Sequence, residues 1–273
     1  MSRQIKSLAV AVGGLGSVGT PVVQALARGI EGLSLAAVSA KKPENALRRL
    51  KEMGIAVPVV ELDELGVRAD IVVECLPPDC FENIARPAIR HGCTLLISSV
   101  GQLLLYPDLV EIAKKNLTRI LVPSGALAGL DGVRACAEAT IHSVRLISRK
   151  PPRSFAKAAF VRRSGIRLDE LNAPLKLFEG NAAEAIANFP ANANVAVALA
   201  LAGIGPQRTA VEIWADPNID RNIHRVEVES ELGRLTVTVE AVPSAENAGS
   251  SRFAGPSLVA TLRKITNALV VGT

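Results

Sequence analysis

Aromatic residues are scarce in this 273-residue chain, with six Phe, one Tyr and one Trp making 3% of positions. Without large rings the core must be built from Ala, Val, Leu and Ile, which suits strands covered on both faces by helices and argues against an all-β sandwich. No Lys/Arg block is interleaved with aromatics, so nucleic-acid binding is not expected. No uncharged run reaches membrane-spanning length, so no membrane partner is expected either. The cysteines Cys75, Cys80, Cys93 and Cys136 form no C-x-x-C pair and show no zinc-type spacing with histidine. Reduced thiols and no metal site follow as expectations. Met1-Ser2-Arg3-Gln4 leads directly into a strand-like run from Ile5. That opening is too short for a signal peptide and predicts a cytoplasmic protein.

What is present is a balanced globular composition, 49% apolar and 21% charged. The length favours about two domains. The formal net charge of +5 is mild and can help to gather anionic small molecules by steering.

From Ile5 to about Pro123, short β-branched runs alternate with helical patterns, the signature of βαβ units and a parallel sheet. Strands are expected at Leu8–Val12, Leu33–Val38, Asp70–Cys75, Thr94–Ser98 and Arg119–Val122. Helices are expected at Ser17–Gly29, Pro43–Met53, Cys80–His91 and Tyr106–Asn116. After Pro123 the pattern changes. Gly125, Gly129 and Gly132 punctuate a loop that feeds a helix to about Ala139, followed by a strand at Ser143–Ser148. Further strands at Thr209–Trp214, Arg225–Glu231 and Leu235–Val242 lie close together, separated by turn-like residues, and predict antiparallel pairing. Helices at Asn181–Asn188 and Asn192–Ala202 are separated by Pro190, which disfavours one continuous helix. Glu246–Gly255 reads as a loop and Pro256–Val270 as a helix. The fold class expected is α/β, an N-terminal Rossmann parallel sheet with a second mixed α/β domain. The domains are drawn at 1–124, rejoined by the C-terminal helix 250–273, and at 125–249.

Gly14-Leu15-Gly16-Ser17-Val18-Gly19 fits G-x-G-x-x-G directly after a hydrophobic strand and at the start of a helix. The first glycine permits the tight turn, the second lets backbone N–H groups approach a pyrophosphate, and the third allows the helix to pack on the strand. Twenty residues after Gly19, where an NAD site usually places Asp or Glu for the ribose 2′-hydroxyl, stands Ser39, followed by Ala40, Lys41 and Lys42. Without that carboxylate a 2′-phosphate is not repelled, and the two lysines can pair with it. NADP use, alone or beside NAD, is expected; the alternative is that Lys41 and Lys42 form a solvated turn.

The run Ile213 to His224 contains one of only three histidines. His224 ends a polar turn before a strand, a place where histidine is more often structural than catalytic. His91 and His142 are blander still. Together with Ser98-Ser99-Val100-Gly101, Pro123-Ser124-Gly125-Ala126-Leu127-Ala128-Gly129-Leu130-Asp131-Gly132, Ser148-Arg149-Lys150-Pro151-Pro152 and Asn188-Phe189-Pro190-Ala191-Asn192-Ala193-Asn194-Val195, the fingerprint and this run give the chain its character. Over nearly its whole length it resembles the L-aspartate dehydrogenase family. The resemblance implies that His224 is the active-site histidine and that Ala128 and Asn194 contact the nicotinamide cofactor. Two departures stand out: Ser39 in place of the acidic residue many NAD-preferring relatives carry, and Ala248 where the family's loop carries Pro.

The resemblance further implies reversible NAD(P)-dependent oxidation of L-aspartate to iminoaspartate, which hydrolyses to oxaloacetate and ammonia or feeds pyridine nucleotide biosynthesis; a homodimer is expected. Such chemistry asks the protein to orient the α-carbon, bind two carboxylates and manage protons. Imidazole suits the proton work because its ordinary pKa lies near neutrality. Arg149, Lys150 and Arg221 are the cations available for the dicarboxylate, with surface charge as the alternative for each. Two rivals remain open: a related dehydrogenase or imine reductase acting on another amino acid, and a protein that senses NAD(P)H without turnover.

Overall fold

The computed structural model describes residues 7–245 and 249–272. The strand start at Ile5 and the loop departure at Ala248 lie outside the described residues. The chain divides into two compact units, one running to Pro123 and including Gly255–Val271, the other spanning Ser124–Ala254 with the last two residues.

The first unit is built on a parallel sheet of β1 (Leu8–Gly13), β2 (Leu33–Ser39), β3 (Ile71–Glu74), β4 (Thr94–Ile97) and β5 (Ile120–Leu121), in the order β2-β1-β3-β4-β5. Strand order reverses between β1 and β3, the switch point where open α/β sheets bind ligands beyond the carboxyl ends of their strands. Beyond β2, among the described residues, the sheet gains a single parallel bridge, Val38 to Val59. Helices α1 (Gly19–Ala27), α2 (Pro43–Glu52), α3 (Phe81–Arg90) and α4 (Asp108–Lys115) make the crossovers. Helix α2 follows its sequence closely: Pro43 opens the first turn, Glu44 lies at the positive end of the helix dipole, and Arg49 and Lys51 lie at the negative end. Val10, Val12, Val22, Val23, Leu26, Val38 and Leu50 form one core cluster.

The second unit carries a mixed sheet in the order β10-β9-β6-β8-β7. Its strands are β6 (Ile141–Lys150), β7 (Leu175–Asn181), β8 (Thr209–Ala215), β9 (Asn222–Ser230) and β10 (Gly233–Ala241). Its helices are α5 (Leu130–Ala137), α6 (Ala159–Arg163), α7 (Ala182–Asn188) and α8 (Asn194–Ala202). Strand β6 is the hinge of this arrangement, parallel to β8 and antiparallel to β9. A capping box starts α7: the Asn181 side chain accepts from the Glu184 N–H at 3.0 Å, and the Glu184 carboxylate accepts from the Asn181 N–H at 3.0 Å. Pro190 falls in the break between α7 and α8, where its missing N–H costs no helical hydrogen bond.

Several elements differ from the sequence reading. Strand β7 was not expected, and its register shift between Lys176 and Phe178 interrupts the alternation by which strands are recognised. Gly132 belongs to α5 rather than to the loop before it. The last helix, α9 (Ala254–Thr266), begins and ends earlier than Pro256–Val270. Strand β9 starts three residues before the expected Arg225, because its ladder with β6 extends through His224–Ser148 and Ile223–Arg149. His224 is therefore a strand residue, not the end of a turn.

Candidate active site

In the first unit the fingerprint forms the turn from β1 into α1. Gly14 has φ +103, and a Cβ there would stand 2.3 Å from the Cys75 carbonyl oxygen; a Cβ on Gly19 would meet the Gly14 carbonyl oxygen. The protein's own packing requires both glycines. Gly16 is different: a Cβ at this exposed position meets nothing within 4 Å, and its φ is not in the left-handed region. Nothing in the folded chain demands glycine there, whereas a pyrophosphate resting on the backbone does. The first turn of α1 has no acidic residue and no side-chain cap from Val18; its Thr20 N–H donates to the Gly16 carbonyl at 3.0 Å, and no carboxylate in that turn opposes an anion at the helix start. These residues fit a dinucleotide.

Ser39 is buried at the carboxyl end of β2, where its carbonyl accepts from the Gly14 N–H at 2.7 Å. Lys41 and Lys42 are exposed just beyond it. A further cation, not singled out from the sequence, reaches the fingerprint itself: Arg49 Nη1 donates to the Leu15 carbonyl at 2.7 Å. Its signal was available, since Arg49 shares the inward face of α2 with Ala46 and Leu50. Glu74 was also missed. Its carboxylate, fully buried at the end of β3, accepts from Leu76 N at 2.8 Å, Ser98 N at 3.0 Å, and the Ser99 N–H and hydroxyl at 2.9 and 3.0 Å. Those bonds tie the loops after β3 and β4 together and account for Ser99, whose hydroxyl is used, whereas Ser98 contributes its backbone N–H. Burial nevertheless outweighs them and raises the Glu74 pKa.

The second unit gathers its polar groups at one end of an otherwise apolar sheet face. Alternation sends Val144, Leu146, Ser148 and Lys150 of β6 to the buried side, with Val226 and Val228 of β9 beside them. His224 lies opposite Ser148 in the ladder, and its Nδ1 is 3.1 Å from the Ser148 hydroxyl. Lys150, two residues along β6, donates from Nζ to the Gly249 carbonyl at 3.1 Å. Asn222, two residues before His224, donates to the Ser250 carbonyl at 3.4 Å, while its buried Oδ1 has no hydrogen-bond partner among the described residues. Segment 249–250 thus accepts from both strands through its backbone. Burial pushes the Lys150 ammonium down to about 8. His224 is pushed down to about 3, by burial first and by the Lys150 charge second.

The remaining candidates lie elsewhere. Arg149 faces the opposite side of β6, where it pairs with Asp216 at 3.4 Å and lies 4.8 Å from the Trp214 ring centroid. Arg221 is exposed in the turn between β8 and β9. Ala128 is exposed in the loop just before α5, and Asn194 opens α8. Among the described residues there is no cluster able to hold a metal ion. No helix among them is long and apolar enough to cross a membrane.

A family model described as the C-terminal domain of aspartate dehydrogenase matches residues 131–265, and the NAD-binding domain of homoserine dehydrogenase matches residues 14–123. L-aspartate dehydrogenase of Bradyrhizobium diazoefficiens is 47% identical over 97% of this chain and 94% of its own. The chain belongs to the L-aspartate dehydrogenase family. Another family member, L-aspartate dehydrogenase 3 of Bordetella bronchiseptica, is 44% identical over 98% of both chains. The solved aspartate dehydrogenase of Thermotoga maritima has the same fold, with a TM-score of 0.73, 23% identity, and coverage of 97% of this chain and 99% of that one.

Proposed function

We propose that the protein catalyses NAD(P)-dependent oxidation of L-aspartate to iminoaspartate, and thence oxaloacetate and ammonia, together with the reverse reductive amination. The observation that carries this reading is the Ser148–Lys150–His224 cluster, a buried imidazole and ammonium on one sheet face in a chain of this family. When bound, the nicotinamide supplies the hydride acceptor for the α-carbon. The chain's own groups do the rest. The fingerprint backbone from Gly14 to Gly19 with Ser17 and Val18 receives the pyrophosphate, and Ala128 and Asn194 contact the nicotinamide end. Ser39 leaves room for a 2′-phosphate, Lys41 and Lys42 supply charge to it, and NADP(H) is accepted at least as well as NAD(H).

Lys150 binds a substrate carboxylate. Burial is the larger cause of the low His224 proton affinity and the Lys150 charge the smaller; an anion beside that ammonium offsets the smaller one, which favours His224 taking a proton from the amine or from the water that attacks the imine. Arg221 is the remaining cation for the second carboxylate. Arg149, committed to Asp216 and Trp214 on the other face, is left out of the substrate site. The protein is placed in the cytoplasm, where its free thiols stay reduced, and assembles as a homodimer, the commonest closed oligomer.

The test is NADH and NADPH oxidation with oxaloacetate and ammonia, repeated with pyruvate and 2-oxoglutarate. Oxaloacetate turnover far above the other keto acids is expected. Preference for another keto acid makes the chain a dehydrogenase of different specificity, and cofactor binding without turnover makes it a sensor. His224→Ala is expected to lower kcat by roughly 10²- to 10⁴-fold at unchanged cofactor affinity, the usual span for acid–base catalysis.

A further inference from the structure

An imidazole in a strand interior has two nitrogens to satisfy, and the bond made at one decides what the other can do. His224 and Ser148 are 2% and 3% exposed, directly opposite each other on β9 and β6, with Oγ 3.1 Å from Nδ1. Along and across the buried face Ser148 stands where the apolar part of the sheet, Leu146, Ile213 and Val226, gives way to the polar end that holds Lys150 and Asn222. A buried hydroxyl needs a hydrogen-bond partner, and Nδ1 of His224 stands at hydrogen-bond distance, 3.1 Å. The same bond leaves Nε2 as the ring nitrogen not engaged by Ser148.

We propose that Ser148 is a positioning residue for His224: its hydroxyl oxygen accepts the Nδ1–H, holding the neutral ring in the tautomer whose lone pair is on Nε2. This deepens the proposed function and rests on His224 as the proton-exchanging group. In hydrolysis of the protonated imine, water forms the new C–O bond at the α-carbon, the C=N electron pair moves to the positively charged nitrogen and neutralises it, and the departing water proton goes to Nε2. In the reverse direction Nε2 returns that proton to the leaving hydroxyl while Nδ1–H stays on Ser148. Without the serine the ring is free to place its proton on Nε2, where it cannot accept another.

Ring ¹⁵N spectra test this directly, because the chain has only three histidines and His224→Gln identifies the signal that belongs to the site. In the wild type at neutral pH the His224 Nδ1 is expected to be protonated and Nε2 bare. Ser148→Ala should shift the ring toward Nε2–H and lower kcat at least tenfold, with KM for L-aspartate and for the cofactor within twofold. Ser148→Thr keeps the hydroxyl and should restore both tautomer and kcat. A bare Nδ1 in the wild type, or a Ser148→Ala protein with kcat within twofold, overturns the proposal. The wild-type spectrum decides the tautomer even if Ser148→Ala fails to fold. If His224→Ala retains full kcat, the catalytic reading falls, and the spectra still judge the Ser148 bond.

Discussion

Lys150 and His224 are buried side by side, and desolvation drives each toward its neutral form. For Lys150 the consequence for stability has a definite sign. Burial brings the Lys150 pKa in the folded chain down to about 8, from the ordinary 10.5 that applies when the chain is unfolded. Between those values the unfolded state binds more protons, so stability gained from this group rises with pH, and below pH 8 the buried charge is a standing cost. Calorimetry of the ligand-free protein should therefore show the Tm difference between wild type and Lys150→Met moving in favour of the wild type from pH 8 to 10. A difference constant across that range would mean that Lys150 titrates as an exposed lysine does. The sequence alone left this cluster half visible. His224 was singled out by resemblance, since its local pattern looked like a turn, and Ser148 was unremarkable until the β6–β9 register placed it opposite the ring. Lys150 and Arg149 were indistinguishable as cations, and only the two-residue alternation of a strand separates the buried one from the one paired with Asp216.

At the scale of elements, the β1–α1 turn and α2 carry the cofactor argument. Gly16→Val places its side chain where no protein atom lies within 4 Å of the Cβ, so Tm should stay within a degree or two of wild type while nucleotide affinity is lost. A folded Gly16→Val protein of unchanged affinity would remove the fingerprint from the account. Lys41→Ala with Lys42→Ala should weaken NADP(H) and spare NAD(H). A wild type preferring NAD(H) by about a hundredfold, roughly 2.7 kcal/mol, would make these lysines a solvated turn. The parallel-sheet elements were legible because long apolar runs, glycines and helical periods agree there. In the second unit, β7 was hidden by its irregular register, and the start of β9 by polar residues that the ladder nevertheless pairs. Arg49 and Glu74 escaped because their roles depend on backbone groups, the Leu15 carbonyl and the Ser98 and Ser99 amides, whose positions no side-chain pattern records.

Over the whole molecule, the first unit is completed by the last helix of the chain. Leu258 and Leu262 of α9 are fully buried in the same cluster as Val22 and Val23, and Gly255 lets the helix start against Pro21, 3.0 Å from where its Cβ would be. Leu262→Ala should cost about 2–5 kcal/mol, as large-to-small changes in a core do, and denaturant unfolding measures it. A cost below 1 kcal/mol would place α9 outside that core. The central claim is that the α-carbon of L-aspartate gives its hydride to the nicotinamide. It is tested most directly by incubating the enzyme with L-aspartate deuterated at C2 and oxidised cofactor, then weighing the reduced nucleotide by mass spectrometry. The account predicts one deuterium in the NAD(P)H, with oxaloacetate and ammonia formed in equal amounts; reduced nucleotide carrying no deuterium, or no reduction at all, would contradict it.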